Sequence, residues 1–280
     1  MDYTQYTVLN GGVRMPILGF GTFMLRGNEC EKCVSAAVEH GYRLIDTAEA
    51  YGNEAAVGNA VAKSGVRREQ LFITTKINFR SYENARAAVF RSLKNLRSDY
   101  IDLVLLHWPF GNYYKAWRVL EKLHKDGFIR AIGVSNFDSD RLIDLISFHQ
   151  IPPAVNQIET HLFCQRKSER VWMRKYGVAH QAYAPLGQGH ATELLSVGEV
   201  RDIASAHGKT SAQILLRFLV QSGISVIPKS AHTDRIVENG GIFDFELTAS
   251  EMAVLAALDK AAPTIGDAEN PEKTELAMTW

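Results

Sequence analysis

Four side chains with complementary acid–base chemistry stand at the ends of apolar runs in this chain. LIDTAEAYGNE carries Asp46 and Tyr51, FITTK carries Lys76, and LVLLHWP carries His107. Asp46 and Lys76 are natural salt-bridge partners. A cation held within ~4–6 Å of a phenol favours phenolate and lowers its pKa by ~1–3 units from ~10. On that reasoning Tyr51 becomes a proton donor near neutral pH. His107 would orient a carbonyl oxygen by hydrogen bond while Tyr51 protonates it.

For these residues to meet, the runs that precede them must converge. Strand-like runs occur at 17–22, 43–48, 71–77, 101–108, 129–136, 154–159, 178–184 and 224–228, eight in all. Helix-like stretches lie between them. NARAAVFRSLKNL places Ala85, Ala88, Val89, Leu93 and Leu96 on one face. DSDRLIDLISFH begins with Asp138 or Ser139 as a cap, and TSAQILLRFLVQSG runs from Thr210 to Gly223. Repeated β-α units closing after eight strands describe an α/β fold, the (β/α)8 TIM barrel, in which the carboxyl ends of the strands gather catalytic residues on one face. A hairpin around Asn10-Gly11 precedes the first strand and is expected to plug the amino-terminal end. Segments 187–198 and 246–260 are extra to the eight units and account for two extra helices. The polar tail from Pro263 to Trp280 is expected to run along the surface. No Pro/Gly/Ser-rich linker interrupts the series, so residues 1–280 are expected to form one domain.

Composition narrows the function classes. With 46% hydrophobic and 22% charged residues the chain is globular, and a formal net charge of zero gives no footprint for nucleic acid or an anionic membrane. No run approaches the ~18 apolar residues of a membrane helix, and MDYTQYTVLN lacks the pattern of a leader, which points to a cytoplasmic protein. Three cysteines do not make a disulfide framework. Cys30 and Cys33 form a C-x-x-C, but it falls within an amphipathic helical pattern and no second ligand pair accompanies it; Cys164 is isolated. No metal is expected.

A second cluster suits an anion. SVIPKSAHTDRIVENG supplies Lys229, Ser230 and Arg235, with a short helix beginning near Thr233, where a barrel commonly holds phosphate after its last strands. Gly19-Phe20-Gly21 begins like a dinucleotide fingerprint, but Met24 stands where the third glycine is needed.

The motifs GFGTF, DTAxxYGNE, TTK, LLHWP, IGVSNF, VNQIE, AYAPLG and IPKS…R..EN together resemble the aldo-keto reductase family over nearly the whole chain. That resemblance implies a catalytic tetrad of Asp46, Tyr51, Lys76 and His107, and hydride transfer from NADPH to an aldehyde or ketone with the tyrosine as general acid. It also implies nicotinamide contacts from Ser135, Asn136 and Gln157, with Tyr183 stacked on the ring. Gly21 and Thr22 would lie beside the cofactor, as would Pro185 and Leu186 of AYAPLG. Lys229, Ser230 and Arg235 would grip the 2′-phosphate, and Glu238 and Asn239 would reach the adenine.

Phe23, Trp108 and Phe79 would line the substrate pocket. Phe23 stands where many members carry Trp, which would widen the mouth. The short WPFGNYYKAW stretch and the brief tail are expected to contribute little, leaving an open, permissive site. Ala184 replaces a common serine, Leu162 a common proline, and His232 adds a donor charged only at lower pH. The short loops resemble the bacterial and protozoan branch that holds diketogluconate reductases, glyoxal and methylglyoxal reductases and prostaglandin F synthases. This implies a small aldehyde, dicarbonyl or keto-sugar acid as substrate and a monomer as the working state. The competing readings are a nucleotide-binding regulatory subunit with vestigial reductase activity, and an isomerase or aldolase using Lys76 as a Schiff base.

Overall fold

The computed structural model describes residues 5–265, 267–268 and 270–279. A hairpin of β1 (Tyr6–Val8) and β2 (Arg14–Pro16) pairs antiparallel with Val8 opposite Arg14. Its turn is longer than an Asn-Gly pair: Leu9 N donates to Val13 O, and Gly12 takes the left-handed φ of +78°.

Eight parallel strands follow in sequence order: β3 (Phe20–Gly21), β4 (Leu44–Asp46), β5 (Phe72–Ile77), β6 (Ile101–Leu106), β7 (Ile129–Ser135), β8 (Val155–Glu159), β9 (Ala179–Tyr183) and β10 (Ser225–Val226). The ends of this sheet meet. Val226 N donates to Ile17 O and Gly19 N to Val226 O, each at 2.8 Å, and Gly21 N reaches Pro228 O at 3.0 Å. Each expected strand is present, and every one is trimmed by a residue or more at one or both ends.

Helices Gly27–Glu39, Glu54–Lys63, Ala85–Leu96, Tyr113–Lys125, Ser139–Ser147, Lys167–Lys175, Ser211–Gln221 and Thr233–Gly240 complete the units. Thr210 closes a capping box with Gln213, whereas Asp138 occupies its cap position without a side-chain cap hydrogen bond. Both segments expected to be extra hold a helix, Ala191–Leu195 and Ala249–Ala257. Gly198–His207 and Pro271–Ala277 also lie outside the eight units. Among the described residues no helix is long and apolar enough to cross a membrane.

Side-chain alternation divides the core in two. Leu44, Phe72, Leu103, Leu105 and Val155 point into the barrel, where Leu9 and Met15 of the hairpin region pack with them as the expected plug. Ile45, Ile73, Ile77, Val104 and Leu106 face outward against Val34, Val57, Val89 and Leu120 of the helices. The same alternation selects which polar residues reach the barrel mouth.

Candidate active site

Two residues beyond Leu44, alternation turns Asp46 inward; Lys76 follows Phe72 on the inner face of β5, and His107 follows Leu105 on the inner line of β6. Tyr51 arrives differently, on the one-turn helix Glu49–Tyr51, which ends at Gly52 with φ of +65°. The Lys76 ammonium donates to Asp46 Oδ1 at 2.5 Å, to Thr47 O at 3.0 Å and to Tyr51 Oη at 3.4 Å. Those bonds use all three of its hydrogens. The His107 ring meets Tyr51 edge-on at 5.8 Å between centroids, and its backbone N–H is held by Ile77 O at 3.1 Å.

Burial governs the charges. It pushes the Asp46 carboxyl up and the Lys76 ammonium down, and the contact between the two opposes both shifts. Tyr51 departs from expectation. Its phenol is pushed well above the ordinary value, first by burial and then by the negative charge of Asp46. Asp46 lies against Lys76 and cancels the field that was to have favoured phenolate. His107 is pushed down to about 3 by burial and then by the Lys76 charge, so its imidazole is neutral at ordinary pH. The result is a protonated phenol beside a neutral imidazole, both half-buried and facing a cleft of about 1040 Å³.

Behind this pair lies a buried amide network. Gln157 Nε2 donates to Asp46 Oδ2 at 2.8 Å and to Gln181 Oε1 at 2.7 Å, leaving Gln157 Oε1 without a bond among the described residues. Ser135 Oγ donates to Gln157 O at 2.8 Å. Asn136, in the left-handed region at φ of +61°, donates to His107 O at 3.1 Å and accepts from Tyr183 Oη at 2.7 Å. Its carboxamide thus holds Tyr183 and His107, and Asn136 with Ser135 lines the cleft. Thr22 is also a backing residue: its N–H and hydroxyl both donate to Asp46 O, and it does not line the cleft.

The cleft continues away from Tyr51 past Gly21, Tyr183, Pro185 and Leu186 to Lys229, Ser230, Arg235, Glu238 and Asn239. A Cβ on Gly21 would stand 2.9 Å from Ile227 O, so only glycine keeps this wall flat. Lys229 and Arg235 are exposed and have no ion-pair partner among the described residues. Ser230 Oγ accepts from His232 N at 3.0 Å, and Glu238 accepts from Thr210 Oγ1 at 2.7 Å. At the other end Phe23 lies 5.0 Å from the Tyr51 ring, and Phe79 and Trp108 join it in the wall.

The model of the Aldo/keto reductase family matches residues 17–260. The chain belongs to the aldo/keto reductase family. It is 46% identical over 256 residues to a glyoxal reductase of Bacillus subtilis (strain 168), covering 90% of this chain and 92% of that protein. It is 41% identical over 267 residues to a morphine 6-dehydrogenase of Pseudomonas putida, covering 90% of each. Among solved structures, an aldo-keto reductase from a Medee basin deep-sea metagenome library superposes with a TM-score of 0.92 at 41% identity, covering 94% of this chain and 98% of that one. A Bombyx mori aldo-keto reductase in complex with NADP gives 0.87 at 32% identity, covering 92% and 94%.

In this aldo/keto reductase the tail keeps the surface course expected of it, with Ala277 alone buried among its described residues, but it is tied down at the barrel mouth; its residues 266, 269 and 280 lie outside the described set. The N–H groups of Thr264 and Ile265 donate to the buried Glu159 carboxylate at 2.9 and 2.8 Å. Arg80 donates to Met278 O at 2.6 Å, and Ala277 packs on Trp108 and Phe110. Ile265 thereby lines the cleft. The WPFGNYYKAW stretch adds to the cleft wall only Trp108, against which Phe110 stacks parallel at 5.5 Å. Asn78, Ala50 and Ile265 are lining residues that motif reading missed. For Asn78 a signal existed, since alternation from Lys76 points it inward. Cys30 and Cys33 are buried on their helix, and burial pushes the Cys30 thiol up to about 12.

Proposed function

We propose that this chain reduces small aldehydes, ketones and dicarbonyls to alcohols with NADPH, and that Tyr51 is the proton donor. The observation that carries the reading is the Tyr51 phenol, kept protonated between the Lys76–Asp46 pair and a neutral His107.

The residues present fit a phosphorylated dinucleotide. Lys229 and Arg235 leave two cations uncommitted at one end, Gly21 keeps the wall flat, and Gln157 Oε1 is an open acceptor for a carboxamide amide near Asp46. A reduced nicotinamide bound there supplies a hydride. His107, being neutral, donates an N–H to the substrate oxygen and holds it toward Tyr51. Tyr51 transfers its proton to that oxygen as the carbon gains the hydride, so one hydride and one proton convert a carbonyl to an alcohol. Lys76, 3.4 Å from the phenol oxygen, stabilises the phenolate that remains. With its three hydrogens engaged and its carboxylate partner at 2.5 Å, Lys76 is poorly placed to form a Schiff base.

Similarity to a glyoxal reductase over 90% of this chain supports a small dicarbonyl as the substrate. A reducing, cytoplasmic setting agrees with three buried cysteines that remain unpaired. The test follows NADPH absorbance against a panel of methylglyoxal, nitrobenzaldehyde, glyceraldehyde and a diketo-sugar acid, with Tyr51→Phe alongside. Oxidation that vanishes in the variant supports the reading. Tight NADPH binding without turnover on any carbonyl replaces it with the regulatory-subunit reading.

A further inference from the structure

We infer that Asn78 is a substrate-binding donor that selects carbonyls bearing a second oxygen on the adjacent carbon, 1,2-dicarbonyls foremost. The inference rests on the carbonyl-reductase reading above and names the substrate class of that same site.

On β5, Phe72 packs inside the barrel and Lys76 reaches the Tyr51 phenol there, while Ile73 and Ile77 join the outer core. Thr75 also faces outward and bonds to Glu54 of helix Glu54–Lys63 at 2.7 Å. The backbone of Asn78 is still extended, with φ −64° and ψ 141°. Its side chain therefore emerges on the same face as Lys76, about 6–7 Å nearer the mouth. The bond from His107 N to Ile77 O sets it beside His107.

The Asn78 amide is fixed in place and half committed. Its Oδ1 accepts from Arg80 N at 2.9 Å and its own N–H donates to Glu49 Oε2 at 3.0 Å, while Nδ2 donates to nothing among the described residues. Asn78 lines the cleft, where its neighbours at the Tyr51 end include Phe23, Ala50, Phe79 and Ile265. A donor held in such an apolar wall discriminates by what it loses. A substrate without a second acceptor leaves the amide unpaired, whereas an oxygen on the adjacent carbon satisfies it while the first oxygen stays between Tyr51 and His107.

The experiment compares kcat/KM for methylglyoxal and propanal, which share a three-carbon skeleton, in the wild type, Asn78→Asp and Asn78→Ser. Asn78→Asp keeps the oxygen that caps Arg80 and replaces the amino donor by an acceptor; Asn78→Ser retains a shorter hydroxyl and serves if the aspartate variant does not fold. The methylglyoxal-to-propanal ratio is expected to fall about tenfold or more in Asn78→Asp and by less in Asn78→Ser. A ratio that stays within about twofold of the wild type in the folded variants overturns the inference and leaves the reductase reading standing. Absence of turnover on either substrate in the wild type overturns that reading, and the inference with it.

Discussion

Asp46 and Lys76 form an ion pair at 2.5 Å with side chains only 2% and 1% exposed, and the Tyr51 hydroxyl lies 3.4 Å from the same ammonium. Removing one member leaves the other charge buried. Lys76→Met is expected to cost about 3–5 kcal/mol of stability, and Lys76→Met with Asp46→Asn together less than the sum of the two. Urea titrations of the double-mutant cycle decide it; strictly additive losses would refute a coupled pair.

Tyr51→Phe keeps the ring and loses the proton. Turnover is expected to fall by about 10²-fold or more, with NADPH affinity within about twofold of the wild type. Fluorescence quenching on nucleotide binding reports the second quantity, so an equal loss in both would mean that the phenol holds the nucleotide.

Lys229→Ala and Arg235→Ala each remove an uncommitted cation from the far end of the cleft. NADPH affinity is expected to drop by about 1.5–3 kcal/mol per lost charge-assisted bond while NADH is little affected. Calorimetry with both nucleotides checks this, and parallel losses would reject the 2′-phosphate assignment.

His180 is buried with its Nε2 2.7 Å from Thr160 Oγ1, and burial, followed by the charges of Arg170, Arg166 and Arg174, pushes its pKa down to about 3. Below pH ~6.5 the unfolded chain binds a proton that the native state refuses, so stability declines as pH falls from there toward 3. The slope from this group approaches about 1.4 kcal/mol per pH unit. His180→Gln is expected to flatten the denaturation midpoint between pH 6.5 and 4 relative to wild type. An unchanged slope would mean that His180 is protonated in the fold.

The eight strands and the gathering of Asp46, Lys76 and His107 at one end of them were legible from order alone, because a parallel barrel repeats one local rule. An apolar strand buries alternate residues, and the next inward position past its end is the mouth. His107, one position past β6, follows from that rule, and Lys76 shares the inner face at the end of β5. Contacts among residues far apart in the chain did not follow. The phenol of Tyr51 was expected to be acidified by Lys76, yet Asp46 stands closer to that cation, and the fold alone sets the order of those distances. Thr22, a motif residue assigned to the cofactor, is turned to brace Asp46, and Asn136 lines the cleft while it also braces His107. The tail offers too few apolar residues for a periodic signal, and what holds it at the mouth is a carboxylate 105 positions earlier in the chain. Local periodicity encodes which side of a strand a residue occupies; which charge lies nearest, and which loop closes over the cleft, depends on packing between segments that the linear order leaves unrelated.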